Sequence, residues 1–179
     1  QNSRINEFSK NKNFYSVYLG PKFKKEYSKK LIDTHLKDYD CKISDLSDID
    51  LVDINSKKIS QGNVVGWFQS RMEWGPRALG NRSILADPRQ KNMKDTLNLK
   101  TKKRESFRPF APSILEEKVS EWFEEDSQSY FMQNVHKFKK DKVKYVPAVV
   151  HLDFTGRLQT VNKKLNPLYY NLIKNFEKI

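Results

Sequence analysis

The residues with the most evident chemistry are the arginines of one glycine-containing stretch. Arg71, Arg77 and Arg82 lie around Gly75 and Gly80, soon after a short apolar run. Each guanidinium offers a planar fork of donors that can bind carboxylate or phosphate oxygens, and the glycines let the backbone approach a ligand closely. This pattern predicts a strand that ends in a cationic, anion-binding loop.

A second cationic segment follows further along the chain. Residues 100–110 begin Lys-Thr-Lys-Lys-Arg and then return to an apolar run bounded by proline. Between Arg71 and Arg108 there are eleven Lys or Arg against four Asp or Glu, which supplies +7 of the formal net charge of +12. The charge is therefore concentrated, and this favours a polyanion or a phosphorylated small molecule as ligand.

Other interpretations of the same residues stay open on chemistry alone. The arginines could form structural clamps by pairing with Glu73 and Asp87, or the loop could be an exposed basic surface for nucleic acid. Lys102, Lys103 and Arg104 could be a solvated helix end, since cations there complement the helix dipole. Spacing does not decide between these interpretations.

Several familiar sites are missing from the sequence. It contains neither a Gly-x-x-x-x-Gly-Lys-Ser/Thr loop nor a Gly-x-Gly-x-x-Gly turn, so a phosphate site would have to be built from side chains. His35, His136 and His151 lack metal-ligand spacing with one another or with Cys41, so no bound metal is predicted. Ser83 has no nucleophile-elbow context, which argues against serine hydrolysis.

The composition predicts one globular domain with a heavily charged surface. The chain has 179 residues, 37% of them apolar and 31% charged, which is enough for one hydrophobic core. Residues 1–13 are polar and patternless, and we interpret them as a tail or linker from a missing N-terminal domain; the predicted domain is 14–179. The absence of a signal peptide and of a run of about 20 apolar residues, with a single Cys41, leads us to expect a cytoplasmic location.

Hydrophobic patterns predict a mixture of helices and strands, and hence an α/β or α+β fold. Helices are predicted at 24–36, 52–59, 92–99 and from Pro167 onward. Strands are predicted at 14–19, 64–68, 84–86, 107–115, 130–135 and 148–152, with a tight turn at 155–156 before 157–161. The prolines within 107–115 would confine that strand to an edge or a bulged position.

The two cationic segments together resemble a known family. Arg-Met-Glu-Trp-Gly-Pro-Arg-Ala-Leu-Gly-Asn-Arg-Ser from residue 71, followed by Lys-x-Arg-Glu-x-Phe-Arg-Pro-Phe from residue 102, is similar to the C-terminal region of the O-carbamoyltransferases. That family includes nodulation-factor and antibiotic-tailoring enzymes. The likeness runs from residue 18 to the last helix and includes 149–153 and 155–161.

This resemblance implies half of a two-domain enzyme. A C-terminal domain similar to the YrdC/Sua5 threonylcarbamoyl-adenylate synthases, with a twisted mixed sheet and flanking helices, would use ATP with Mg²⁺ and carbamoyl phosphate to form carbamoyl adenylate. A Kae1-like N-terminal domain, expected to be missing here, would pass the carbamoyl group to a hydroxyl acceptor. Only the first half-reaction is therefore expected of this chain.

The resemblance also supplies candidate site residues. Lys102 and Arg104, in a Lys-x-Arg arrangement shared with YrdC-like relatives, are the predicted catalytic contacts to carbamoyl phosphate and the α-phosphate. The predicted substrate-binding residues are Arg71, Arg77, Asn81, Arg82, Ser83 and Arg108. Glu73 is expected to orient Arg77, and Trp74 is expected to close the core rather than to pack against an adenine.

Two alternatives accompany this hypothesis. A basic nucleic-acid-binding module of the same fold would suit the net charge, although nucleic acid is the less expected partner; its affinity would fall steeply with salt and ignore ATP. The chain could also be a catalytically silent fragment whose site is completed by the missing domain. The acceptor, the oligomeric state and the magnesium ligands are not predicted.

Overall fold

Helices and short strands alternate irregularly in the computed structural model, which describes residues 16–36 and 39–179. The helices are α1 Lys25–His35, α2 Asp48–Ser60, α3 Met93–Thr96, α4 Val119–Trp122 and α5 Pro167–Phe176. The strands are β1 Val65–Phe68, β2 Arg82–Leu85, β3 Ser113–Leu115, β4 Val135–Lys137, β5 Thr155–Arg157 and β6 Gln159–Val161. A π-helical turn, Leu97–Lys102, continues α3, and 3₁₀ turns occur at Glu116–Lys118 and Val143–Tyr145. The predicted tail 1–13 and the first two residues of the strand predicted at 14–19 lie outside the described residues.

Local sequence signals explain where the long helices begin and end. The Ser47 hydroxyl accepts a hydrogen bond from the Asp50 amide at the start of α2, and Gly62 follows its end with φ of 90°. The Asn166 side chain caps α5, and Pro167 occupies its first turn, where a missing N–H costs nothing. The helices predicted at 24–36 and 52–59 and from Pro167 are therefore confirmed.

The main hydrophobic core lies between α2, α5 and β1. Val52 and Ile59 pack with Trp67, Tyr169 and Leu172, all of them buried. Each such side chain contributes about 1.5–3 kcal/mol when removed from water. A second cluster joins α4 to the later strands through Val119, Phe123, Phe138, Val146, Val149 and Leu158.

The strands of the described residues form three two-stranded pairs. β1 and β2 are antiparallel, with Phe68 opposite Arg82. β3 and β6 are parallel, with Ser113 opposite Gln159, and β4 and β5 are antiparallel. Helices combined with both kinds of pairing confirm the α+β class, whereas the closer likeness to the YrdC/Sua5 fold stays a prediction.

Three of the predicted strands are not found in the described residues. Residues 16–19 of the strand predicted at 14–19 belong to no strand. Of the run 130–135 only Val135 enters a strand, and residues 148–152 form turns. Ala148 and Val149 are nevertheless buried, and the Ala148 amide donates to the Pro88 carbonyl at 3.2 Å. The apolar run therefore indicated buried side chains, and side chains can be buried from a turn as well as from a strand.

Candidate functional site

The loop from β1 to β2, residues 69–81, is folded around a buried carboxylate; we call it the arginine loop. Oε1 of Glu73, 6% exposed, accepts the amide hydrogens of Leu79, Asn81 and Arg82 at 2.7, 2.8 and 3.2 Å. Hydrogen bonds to an ionised acceptor are among the strongest in proteins. Glu73 therefore fixes the backbone of the loop, and it forms no hydrogen bond or ion pair with Arg77 within the described residues.

A network of buried amides ties the arginine loop to the rest of the domain. Asn81 donates to the Arg71 carbonyl at 2.7 Å, and its own Oδ1 accepts from Nδ2 of Asn166 at 2.9 Å. Gln69 donates to the Gly80 carbonyl at 2.7 Å. Asn81, predicted to bind substrate, is 2% exposed and places both side-chain groups in this network.

Gly80 lets the arginine loop lie directly on the core. Its φ is 96°, and a Cβ at this position would overlap the ring of Tyr169. Tyr169 is itself buried, and burial raises the pKa of its hydroxyl to about 12. The glycine is therefore required for its conformation and for its lack of a side chain.

Two of the predicted substrate-binding arginines bind the chain's own backbone. Arg82 donates from Nη1 to the carbonyls of Gln69 and Asn81 and from Nη2 to those of Ser70 and Pro21, and its guanidinium lies 3.6 Å from the Phe68 ring centroid. Arg71 donates to the Gly20 carbonyl at 3.2 Å. The structural-clamp interpretation therefore describes both side chains, although their partners are carbonyls and not Glu73 or Asp87.

The outer side of the arginine loop carries two large side chains. Trp74 is 74% exposed, so the prediction that it closes the core is wrong; the fold buries its neighbour Glu73 instead. Arg77 is also exposed and makes no hydrogen bond or ion pair with any residue that the structure describes. Of the three arginines in the loop and at its end, only Arg77 has a guanidinium without a hydrogen-bonding or ion-pairing partner among the described residues.

A cavity of about 560 Å³ lies where the two cationic segments meet. Ala78 of the arginine loop and Ser83 of β2 line it, together with Lys102 at the end of the π-helical turn. Apolar residues provide much of the remaining wall, among them Ile84, Met93, Leu97, Phe110, Leu115 and Phe176. The Ser83 hydroxyl accepts from the Gly80 amide at 2.9 Å, so its own hydrogen can still be donated to a ligand.

The cationic residues of this cavity differ in what they already bind. Arg89 forms a two-pronged pair with buried Asp87 at 2.9–3.1 Å. Lys118 pairs with two glutamates, at 3.2 and 3.0 Å. Lys94 and Lys102 have no hydrogen-bonding or ion-pairing partner within 16–36 and 39–179, and both line the cavity. These two ammonium groups are therefore placed to meet an anionic ligand.

Sequence reasoning missed Lys94 and Arg89 as cavity residues. A usable signal existed for Lys94, because positions 94, 98 and 102 recur every four residues along one helical stretch and so share a face. The sequence offered less indication for Arg89, because Asp87-Pro88-Arg89 stands at the end of the arginine motif and nothing in its pattern marks it as lining a cavity.

Arg104 and Arg108 are organised by a single buried amide. Asn98 is 0% exposed; its Nδ2 donates to the carbonyls of Ser106 and Arg108 at 3.1 and 2.9 Å, and its Oδ1 accepts from Nε of Arg104 at 2.7 Å. The Arg104 guanidinium lies 4.9 Å from the ring centroid of Phe110, a cavity residue. Arg108 is exposed and pairs with Glu105 at 2.8 Å. Lys102 thus lines the cavity directly, whereas Arg104 lies behind Phe110.

No group of three His, Cys, Asp or Glu side chains with the arrangement of a metal site occurs in the part of the chain that the structure describes. In the same residues, no helix combines the length and the hydrophobicity needed to cross a bilayer.

Comparison with known proteins shows what this sequence is similar to. The family model "Carbamoyltransferase C-terminus" matches residues 56–179. An uncharacterized protein of Synechocystis sp. is 43% identical over 188 residues, which cover 90% of this chain and 29% of that protein. Nodulation protein NolO of Bradyrhizobium diazoefficiens is 52% identical over 67% of this chain and 22% of its own length. The 3'-hydroxymethylcephem-O-carbamoyltransferase of Streptomyces clavuligerus is 39% identical over 68% of this chain and 23% of its own length. The chain thus spans less than a third of the length of these relatives.

Proposed function

We propose that this chain, which belongs to the carbamoyltransferase C-terminal family, binds ATP and carbamoyl phosphate and forms carbamoyl adenylate, the first half-reaction of an O-carbamoyltransferase. Water first cleaves the bond between the carbamate oxygen and phosphorus of carbamoyl phosphate, which releases phosphate and leaves carbamate. A carbamate oxygen then bonds to the α-phosphorus of ATP while the bond from that phosphorus to pyrophosphate breaks, and pyrophosphate leaves. Transfer to a hydroxyl acceptor would be the work of the region that the longer relatives carry in addition.

The observation that carries the proposal is the shared cavity. The arginine loop and the cationic segment are separate in sequence, yet Ala78, Ser83 and Lys102 line one space of about 560 Å³. Adenylation gathers negative charge on phosphoryl oxygens and needs no protein nucleophile, so unpaired ammonium groups are its main requirement. The apolar walls suit a purine, as in most nucleotide-sized pockets.

We assign different roles to the predicted site residues. Lys102 and Lys94 contact the phosphates, and Ser83 donates a hydrogen bond to the ligand. Arg104 acts on the cavity indirectly, through its contact with the ring of Phe110. Arg77 reaches the ligand from the exposed side of the arginine loop. Arg71, Asn81 and Arg82 hold the arginine loop in shape, and Arg108 stays at the surface. Mg²⁺ would enter as part of the ATP complex and would neutralise part of the phosphate charge.

Calorimetric titration of the folded chain with ATP and carbamoyl phosphate, singly and together, tests the proposal. Lys102→Met should weaken binding about ten- to a hundredfold, because one charge-assisted hydrogen bond is worth about 1.5–3 kcal/mol. Lys100→Met is the matched control, since Lys100 is exposed, belongs to the same turn and does not line the cavity. Absence of binding by either compound, or an equal loss in both variants, would contradict the proposal.

A further inference from the structure

Helix α1 buries none of its residues, although one of its faces is apolar. Tyr27 and Leu31 are four residues apart and share that face, and Phe23 lies four residues before Tyr27. Their side chains are 51%, 40% and 45% exposed. A helix of eleven residues is marginal in water by itself, because short helices in proteins are stabilised mainly by packing their apolar face.

The apolar face of α1 continues onto the strand that leads into the arginine loop. The Phe23 ring stacks on that of Tyr27 at 5.8 Å, and it lies 6.1 Å from the ring of Phe68, which is 63% exposed. We call Phe23, Tyr27, Leu31 and Phe68 the outer apolar surface. The guanidinium of Arg82 supports Phe68 from beneath at 3.6 Å. Contiguous exposed apolar side chains of this kind mark interaction surfaces.

We propose that the outer apolar surface is the docking site for the additional region that the longer carbamoyltransferases carry. The alignment with the Synechocystis protein covers 90% of this chain but only 29% of that relative. Since at most a tenth of the chain lies outside this alignment, the shared part includes α1. A helix that no part of the described chain buries thus belongs, in the relative, to a polypeptide more than three times as long. This inference rests on family membership and does not depend on the ATP chemistry proposed above.

Charge favours the additional region over a second copy of the chain as the occupant of this surface. The segment 22–35 has five lysines against Glu26 and Asp33, and the chain as a whole has a formal charge of +12. Two copies facing one another through this surface would repel. The surface fits a partner face with an apolar centre and an acidic rim, because complementary charge around an apolar patch favours association.

Hydrogen–deuterium exchange tests the docking. The amides of α1 are followed in the chain alone and in a polypeptide that joins the chain to the rest of the Synechocystis relative in place of that protein's own matching segment. We expect α1 to exchange at least a hundredfold more slowly in the longer polypeptide. Exchange in α5 reports in both cases that the domain is folded.

Two double substitutions sharpen the test. Tyr27→Ser with Leu31→Ser should return α1 to within tenfold of its exchange rate in the chain alone. Glu26→Ser with Lys29→Ser, on another face of the same helix and with no net change in charge, should keep the protection. Because α1 buries no residue, both variants should leave the unfolding midpoint of the chain alone unchanged.

Three results would overturn the proposal: equal α1 exchange in the short and long polypeptides, loss of protection in both double variants, or α1 protection in the chain alone that rises with its concentration. The last would identify a second copy as the occupant. The intact Synechocystis protein gives the same comparison for its own aligned helix without a joining step, so the result does not depend on how the joined polypeptide folds.

Discussion

The arginine loop and the cationic segment 100–108 both contain arginines but are built in opposite ways. In the loop, the carboxylate of Glu73 binds three backbone amides, and Arg82 at the end of the loop binds four carbonyls. In the segment, Asn98 fixes the backbone and Arg104, while Lys102 keeps its ammonium unpaired within the described residues. The arginine loop uses a guanidinium to hold its backbone in shape, and the segment 100–108 presents the ammonium group of Lys102 to the cavity.

This difference shows that the number of arginines is a poor measure of ligand binding. A guanidinium can satisfy several backbone carbonyls at once, whereas a lysine ammonium does so less well and more often stays solvated. The residue types that suggested an anion site in the loop are therefore also the types that best close a tight turn. The following substitutions separate the two uses.

Removing the buried carboxylate should have the largest effect. Glu73→Ala leaves the amides of Leu79, Asn81 and Arg82 without their acceptor, and we expect the free energy of unfolding to fall by about 3 kcal/mol or more. Urea denaturation measures it. Glu73→Gln keeps an oxygen at the same position and should lose less than half as much. If Glu73→Ala were as stable as the unsubstituted chain, the loop would not be organised in the way described.

A side chain at Gly80 should have the next largest effect. Gly80→Ala forces a Cβ into the Tyr169 ring at a φ of 96°, which should cost about 2–4 kcal/mol of stability. Gly75→Ala is the matched control, because its φ of 132° is also unusual but no atom lies within 4 Å of the added carbon. The control should cost about 1–2 kcal/mol. Similar unfolding midpoints for the two variants would show that contact with Tyr169 is unimportant.

Ionisation of Tyr169, on which the arginine loop packs, should have the smallest of the three effects on the free energy of unfolding. The pKa of Tyr169 is raised by burial to about 12, from 10.0, so its stabilising contribution is complete below pH 10 and is lost as pH rises through the folded pKa. Between pH 10 and 12 the free energy of unfolding should fall by about 1.4 kcal/mol per pH unit from this group. Tyr169→Phe should show a shallower slope in denaturation series over that range. An unchanged slope would mean that Tyr169 ionises equally in both states.

The sequence predicted the parts that local chemistry determines. The helix predicted from Pro167 begins at that residue, and the family resemblance is confirmed by the match over 56–179. Lys102 and Ser83, predicted as site residues from separate segments of the sequence, line one cavity. The roles of the site residues in ATP and carbamoyl phosphate binding stay predictions.

What the sequence did not predict depends on distant partners. Arg71 binds the carbonyl of Gly20, fifty-one residues away, and no spacing rule connects them. The exposure of Trp74 follows from the burial of Glu73, and a carboxylate is rarely the buried member of such a pair. The run 148–152 had the composition of a strand, but its buried side chains are held from turns.

The side-chain amide of Asn98 holds together the two ends of the stretch from Asn98 to Arg108. Its hydrogen bonds reach the far end through the carbonyls of Ser106 and Arg108, so they do not depend on which side chains lie between. The tip of this stretch can therefore be changed, for instance at the cavity residue Lys102, while its base stays closed. Ligand preference at the cavity could then be retuned without repacking the core.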